Sequence, residues 1–254
     1  MKLSESFYSI QGEGVTTGVP SYFVRLEGCN LMCGGPGGCL MKAGKATWWC
    51  DTEAIWRKGI DTTNEEMIQK MQIGGADIGV DVLKGILDGN IHIVWTGGEP
   101  TMERNRNDIT SFIQFINRAY PDNKAFHELE TNGTIYCPDG FYDLMDQINC
   151  SPKLANSGMR VKSRVVPEAI KQINEHRNGW FKIVISIEED LKEIKEAFLE
   201  PFYIEAKKVV LMPGVDNMND LHRVTKFMYE MCKKYGYRGV TRGHILAWNK
   251  TVGV

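Results

Sequence analysis

IHIVWTGGEP, residues 91–100, runs from a short apolar strand into two glycines, an acid and a proline. Five residues rich in Ile, Val and Trp, closed by Gly and Pro, read as a buried strand of a parallel sheet. Glycines at a strand end let the backbone approach a ligand closely. In parallel α/β folds the chemistry gathers at the carboxyl ends of the strands. On either side the same pattern recurs. Strands are predicted at residues 21–26 (SYFVRL), 125–131 (AFHELET), 148–151 (INCS), 181–186 (FKIVIS) and 208–212 (KVVLM), with a final one at 243–248. Helical periodicity falls between them. Residues 108–118 place Ile109, Phe112, Ile113 and Ile116 on one face, with Asn107 or Asp108 as the cap, and similar stripes mark 188–198 and 221–233. These stripes read as core packing rather than cofactor contacts. The alternation predicts an α/β fold, a partial (β/α) barrel of about six parallel strands. With no repeat, low-complexity tract or linker in 254 residues, a single domain spanning residues 1–254 is expected.

Composition narrows the function classes. Apolar residues are 43% and charged residues 24%, which excludes extensive disorder. Thirty Lys and Arg against 32 Asp and Glu leave a formal charge of −2, so no nucleic-acid partner is expected. No apolar run approaches the ~18–20 residues that span a bilayer, and the opening MKLSESFYSIQGEG lacks a signal peptide's apolar segment. A cytoplasmic protein without a membrane partner is expected.

Cysteine usage points to a metal. Of seven cysteines, Cys29, Cys33, Cys39 and Cys50 crowd into 22 residues, which in a reducing compartment indicates a metal site more often than disulfides. Thiolates select soft ions, leaving zinc and an iron–sulfur cluster as alternatives. No Cys-x2-Cys pair of the kind usual in zinc sites is present. Three thiolates on a loop hold three irons of a [4Fe–4S] cube and leave the fourth open to a small molecule. Two other patterns fail. Gly12, Gly14 and Gly18 give GxGxxxG, with no predicted strand ahead of them. His127-Glu128 begins like a zinc-protease helix, but Thr131 stands where the second His belongs.

A three-cysteine loop followed by a Gly-Gly-Glu strand end resembles the radical S-adenosylmethionine (SAM) enzymes, in which the open iron binds the methionine end of SAM. Within that superfamily, FYSIQGEGVTTGVPSYFVRLEGCN (7–30), WCDTE (49–53), WTGGEPTM (95–102), ELETNGT (128–134) and CSPK (150–153) resemble, in order, the motifs of the 7-carboxy-7-deazaguanine synthase family. Beyond Lys153 only Leu211-Met212-Pro213 and the tail are faintly similar. The resemblance implies a carbon–nitrogen lyase of 7-deazapurine (queuosine) biosynthesis. Such an enzyme rearranges 6-carboxy-5,6,7,8-tetrahydropterin to 7-carboxy-7-deazaguanine with loss of ammonia. Reductive cleavage of SAM yields the 5′-deoxyadenosyl radical that takes hydrogen from C6. It also implies Mg²⁺, a flavodoxin- or ferredoxin-type reductant and a homodimer.

The same resemblance distributes roles. Cys29, Cys33 and Cys50 are the expected cluster ligands. In the usual spacing two residues separate the second cysteine from the third, a position where this chain has Pro36; here an insertion at about residues 34–49 intervenes. Cys39 is read as a loop thiol without a ligand role. Thr52 is the expected Mg²⁺ ligand. Asp51, Gly97, Gly98, Glu99, Ser151, Pro152 and Lys153 are expected around SAM. Ile10, Gln11, Gly12, Glu13, Arg25 and Thr96 are expected around the pterin. A carboxylate such as that of Glu13 suits the pterin's 2-amino and N3–H donor pair. Arg25 suits the substrate carboxylate. His244 is the only remaining histidine near a predicted strand in the tail, where the family often has a functional histidine. The alternatives are a radical SAM activase that forms a glycyl radical in a partner protein, which needs neither QGEG nor Cys-Asp-Thr, and a zinc-bound structural module.

Overall fold

The computed structural model describes residues 1–35, 46–48, 50–251 and 253. Cys39 and Trp49 lie outside the described residues, as does most of the insertion. Nine strands form one sheet in the order β3-β1-β2-β4-β5-β6-β7-β8-β9. They are β1 (Lys2–Ile10), β2 (Pro20–Leu26), β3 (Ile60–Asp61), β4 (His92–Gly97), β5 (Phe126–Thr131), β6 (Gln147–Cys150), β7 (Gly179–Ile185), β8 (Val209–Pro213) and β9 (Arg238–Gly239). From β2 through β9 every neighbouring pair is parallel. β1 and β3 add an antiparallel edge, and the barrel does not close. Among the described residues no helix is long and apolar enough to cross a membrane.

The predicted strands β2 and β4 to β8 appear within one or two residues of their expected bounds, while the two-residue β3 was not expected. β1 was not foreseen. Its sequence KLSESFYSI buries only Leu3 fully, so it lacks the apolar run that marks the central strands. It pairs with β2 in register, Phe7 opposite Phe23 and Ile10 opposite Pro20. A strand therefore does precede Gly12, but it turns back into β2 rather than into a helix, and no dinucleotide fold results. A second correction concerns residues 243–248. They form a helix, Gly243–Trp248, not a strand, because a six-residue apolar run carries no period of its own. The final strand is β9, two residues long.

Helices cover the sheet. The helix α1 (Glu103–Ala119) buries Ile109, Phe112, Ile113 and Ile116 as expected. It starts before Asn107 and Asp108, so neither is its cap. The early start has a cause in its first turn. Asn105 is buried there, and its amide donates to the carbonyls of Glu27 and Glu99, fastening the helix to the turn after β4. The helix α2 (Met218–Tyr235) is capped by Asn217, whose side chain accepts from Asp220 N, and ends on Gly236 at φ 75°. We label Gly243–Trp248 α3. The core runs from α1 through Trp95 and Ile148 to Ile183 and Leu211. It leaves the carboxyl ends of the parallel strands to line a cavity.

Candidate active site

Strand alternation builds this cavity of about 580 Å³. Glu130 of β5 and Lys182 and Val184 of β7 face it, while their neighbours Leu129, Phe181 and Ile183 enter the core. Loops supply more of its wall.

Cys29, Cys33 and Cys50 line it. Cys50 N donates to Cys33 O at 3.2 Å, so the chain returns beside Cys33 after the insertion. The side-chain amide of Asn132, at the end of β5, lies 3.9 Å from Cys29 Sγ and donates to Asn30 Oδ1 at 2.9 Å. Burial pushes the Cys29 thiol up to about 12, and it raises Cys33 as well. Bare thiolates are therefore costly here unless a cation compensates. Among the described residues no three Cys, His, Asp or Glu converge as ligands of a single ion do. Three soft donors lining one cavity fit the iron–sulfur group. Thr52 also lines the cavity. Its hydroxyl lies 3.4 Å from Cys50 Sγ and does not cap the short helix Glu53–Trp56 that follows.

Gly97 and Gly98 pack directly on the cysteine loop. A Cβ on Gly98 would stand 1.7 Å from Gly28 O, and Glu99 N donates to that same carbonyl at 2.8 Å. Gly97 sits at φ 117° with Leu26 N 2.3 Å from its absent Cβ. Glu99 differs from its neighbours. Its carboxylate is fully buried and takes bonds from Thr101 N and Oγ1, Thr131 Oγ1 and Asn132 N, at 2.6–2.9 Å. It braces the end of β4 to the end of β5 and does not line the cavity. Pro152 is also outside the lining, whereas Ser151 and Lys153 are within it, joined by a bond of 2.9 Å.

The turn after β1 lines the same cavity. Ile10, Gln11, Gly12 and Glu13 line the cavity with Arg25, Thr96 and Asp51. Gln11 is buried and donates to Glu128 Oε1 at 2.7 Å. Arg25 is paired with Glu5 at 3.0 Å and lies over the Phe7 ring. Glu13 carries two cations. Lys182 Nζ donates to its Oε2 at 3.0 Å and Arg242 Nε to its Oε1 at 2.8 Å. Burial raises the Glu13 carboxyl, but Lys182 and Arg242 outweigh it and hold the group well below the usual range. Arg242 also reaches Asp51 at 2.9 Å. Gly12 packs on His244, which would lie 2.6 Å from a Cβ there, and Gly243 N donates to Gly12 O at 2.8 Å.

Lys182 and Arg242 escaped the sequence reading. Lys182 left a signal, a cation at a cavity-facing position of the apolar run FKIVIS, since a lysine is seldom buried unless paired. Arg242 left none, lying between β9 and α3 in a segment without a motif. Lys182 also bonds Glu130 Oε2 at 2.6 Å. Burial pushes Glu130 up to about 7. Lys182 opposes that rise, and the nearby carboxylates of Glu128 and Glu13 reinforce it.

No family model matches the chain. Individual proteins do. A 7-carboxy-7-deazaguanine synthase of Aquifex aeolicus is 30% identical over 246 residues, covering 95% of this chain and 91% of that enzyme. The synthase of Pyrobaculum aerophilum is 28% identical over 258 residues, 100% of this chain and 97% of that one. Among solved structures, QueE from Escherichia coli matches with a TM-score of 0.62 over 96% of this chain and 94% of that one. At 22% identity it shares the fold.

Proposed function

Since the chain belongs to the 7-carboxy-7-deazaguanine synthase family, we propose that its cavity converts 6-carboxy-5,6,7,8-tetrahydropterin to 7-carboxy-7-deazaguanine, with loss of ammonia. It is a radical SAM lyase of 7-deazapurine biosynthesis. One observation carries the reading at the level of the site. A single cavity is lined both by three cysteine thiols and by the Gln11-Gly12-Glu13 turn.

Cys29, Cys33 and Cys50 would hold the [4Fe–4S] cluster, which when bound supplies the electron for reductive cleavage of SAM. The remaining steps fall to side chains and backbone of this chain. Gly97 and Gly98 offer main-chain atoms to the methionine end of SAM, with Asp51, Ser151 and Lys153 in reach of the rest. Glu99 acts by bracing that turn rather than by contact. Glu13 accepts the pterin's donor edge: each carboxylate oxygen has a second lone pair beyond the one Lys182 or Arg242 uses. Gln11 and Thr96 flank it. Arg25, held by Glu5, faces the substrate carboxylate. Glu130, titrating near neutrality in the same cavity, is suited to give the proton that departing ammonia requires. Mg²⁺ is assigned to the Thr52 hydroxyl, a hard oxygen donor on the cavity wall. A flavodoxin- or ferredoxin-type reductant and a homodimer complete the reading by resemblance.

The test is anaerobic reconstitution followed by incubation with SAM, dithionite and the carboxytetrahydropterin. Mass spectrometry should find 7-carboxy-7-deazaguanine and ammonia. A protein that binds iron and cleaves SAM yet leaves the pterin intact would refute the reading.

A further inference from the structure

We propose that Lys182 is a positioning residue of the pterin site, a clamp that fixes the Glu13 and Glu130 carboxylates and thereby sets which way round the substrate binds. The inference rests on the reading of this part of the cavity as the pterin's.

Three observations support it. First, Lys182 sits in the middle of β7, between core residues Phe181 and Ile183, and its side chain is 5% exposed. A lysine there has given up its hydration shell and needs partners. Second, those partners come from two separate elements: Glu13 Oε2 at 3.0 Å, from the turn after β1, and Glu130 Oε2 at 2.6 Å, from β5. No other side-chain cation among the described residues bonds both carboxylates. Third, each partner is held on its other oxygen. Arg242 takes Glu13 Oε1, and Asn149 takes Glu130 Oε1 at 3.1 Å. Glu13 is thus fixed in the charged, accepting form, and Glu130 is fixed in place, with one oxygen toward Lys182 and the other toward Asn149.

The chemistry follows from the protons. An ammonium has three, and two are spent on Glu13 and Glu130. A lysine so engaged offers little to a ligand's carboxylate, while the carboxylates it holds keep lone pairs for N–H donors. The substrate's donor edge is drawn to this part and its carboxylate is left for Arg25. Without Lys182, Glu130 loses its charged partner while burial, Glu128 and Glu13 still raise it, so its carboxyl keeps its proton to higher pH. An acceptor becomes a donor, and the pterin edge meets a mismatch.

The test measures dissociation constants for the carboxytetrahydropterin and for SAM on the reconstituted holoprotein without reductant, so that nothing turns over. Lys182→Met should weaken the pterin about tenfold or more while SAM stays within about twofold. Lys182→Arg, which keeps the charge and donors, should recover most of the pterin affinity. Pterin affinity unchanged in Lys182→Met would overturn the proposal, and so would equal loss of both ligands in a folded protein. Should Lys182→Met not fold, Glu13→Gln and Glu130→Gln are measured singly and together. A shared clamp makes their effects on pterin affinity non-additive by about fivefold, whereas additive effects sink it. A parent protein that binds no pterin would refute the proposed function instead.

Discussion

Among single residues, the cysteines give the sharpest expectation. Cys29→Ala, Cys33→Ala or Cys50→Ala should each remove most bound iron and all SAM cleavage, read by iron assay and by 5′-deoxyadenosine. Cys39→Ala should leave both nearly intact. Thr52 can be separated from its neighbours by the metal it answers to. Thr52→Ala should lose the acceleration by added Mg²⁺ and Thr52→Ser should keep it, because only the hydroxyl coordinates. An alanine variant that still responds to Mg²⁺ as the parent does would remove Thr52 from the metal. Glu130 carries a pH signature. Its carboxyl titrates near 7 in the folded protein against an ordinary value of 4.5. The native state therefore keeps a proton that the unfolded chain releases between those values, and stability falls as pH rises through that window. Glu130→Gln has no charge to lose. Relative to the parent, its stability to urea should improve from pH 5 to pH 8 by about 3 kcal/mol. A difference that does not change with pH would count against a buried, destabilised carboxylate.

At the level of elements, the contact between the end of β4 and the cysteine loop is testable through glycine. A methyl group on Gly98 meets backbone at Gly28, which has no flexible end to swing away. Gly98→Ala should cost about 1–3 kcal/mol, a drop of several degrees in melting temperature, and displace the loop enough to lower iron occupancy. The same junction shows what the sequence made legible. β2, β4, β5, β6, β7 and β8 announced themselves because both faces are buried, which forces near-continuous apolar runs. β1 hid because a strand at the antiparallel edge with half-exposed Ser and Glu satisfies no such demand. The helix at Gly243–Trp248 was mistaken for a strand because it is shorter than two helical turns. The cysteines, the glycines and QGEG were readable as local patterns. The pairing of Glu13 with Lys182 and Arg242 was not, since nothing local in a sequence records which cation a carboxylate meets across 169 or 229 positions.

For the molecule as a whole, those separations determine when the site comes into being. Arg242 is synthesised 229 positions after Glu13, and Gly243 N closes on Gly12 O in the same place. A nascent chain exposes Cys29, Cys33 and Cys50 long before β4 to β7 exist to enclose them, and longer still before Arg242 can reach Glu13. Contacts of such range form late and slowly. The cysteine loop therefore emerges from the ribosome as an open, solvent-facing segment. The thiols gain their walls only once the later strands have arrived.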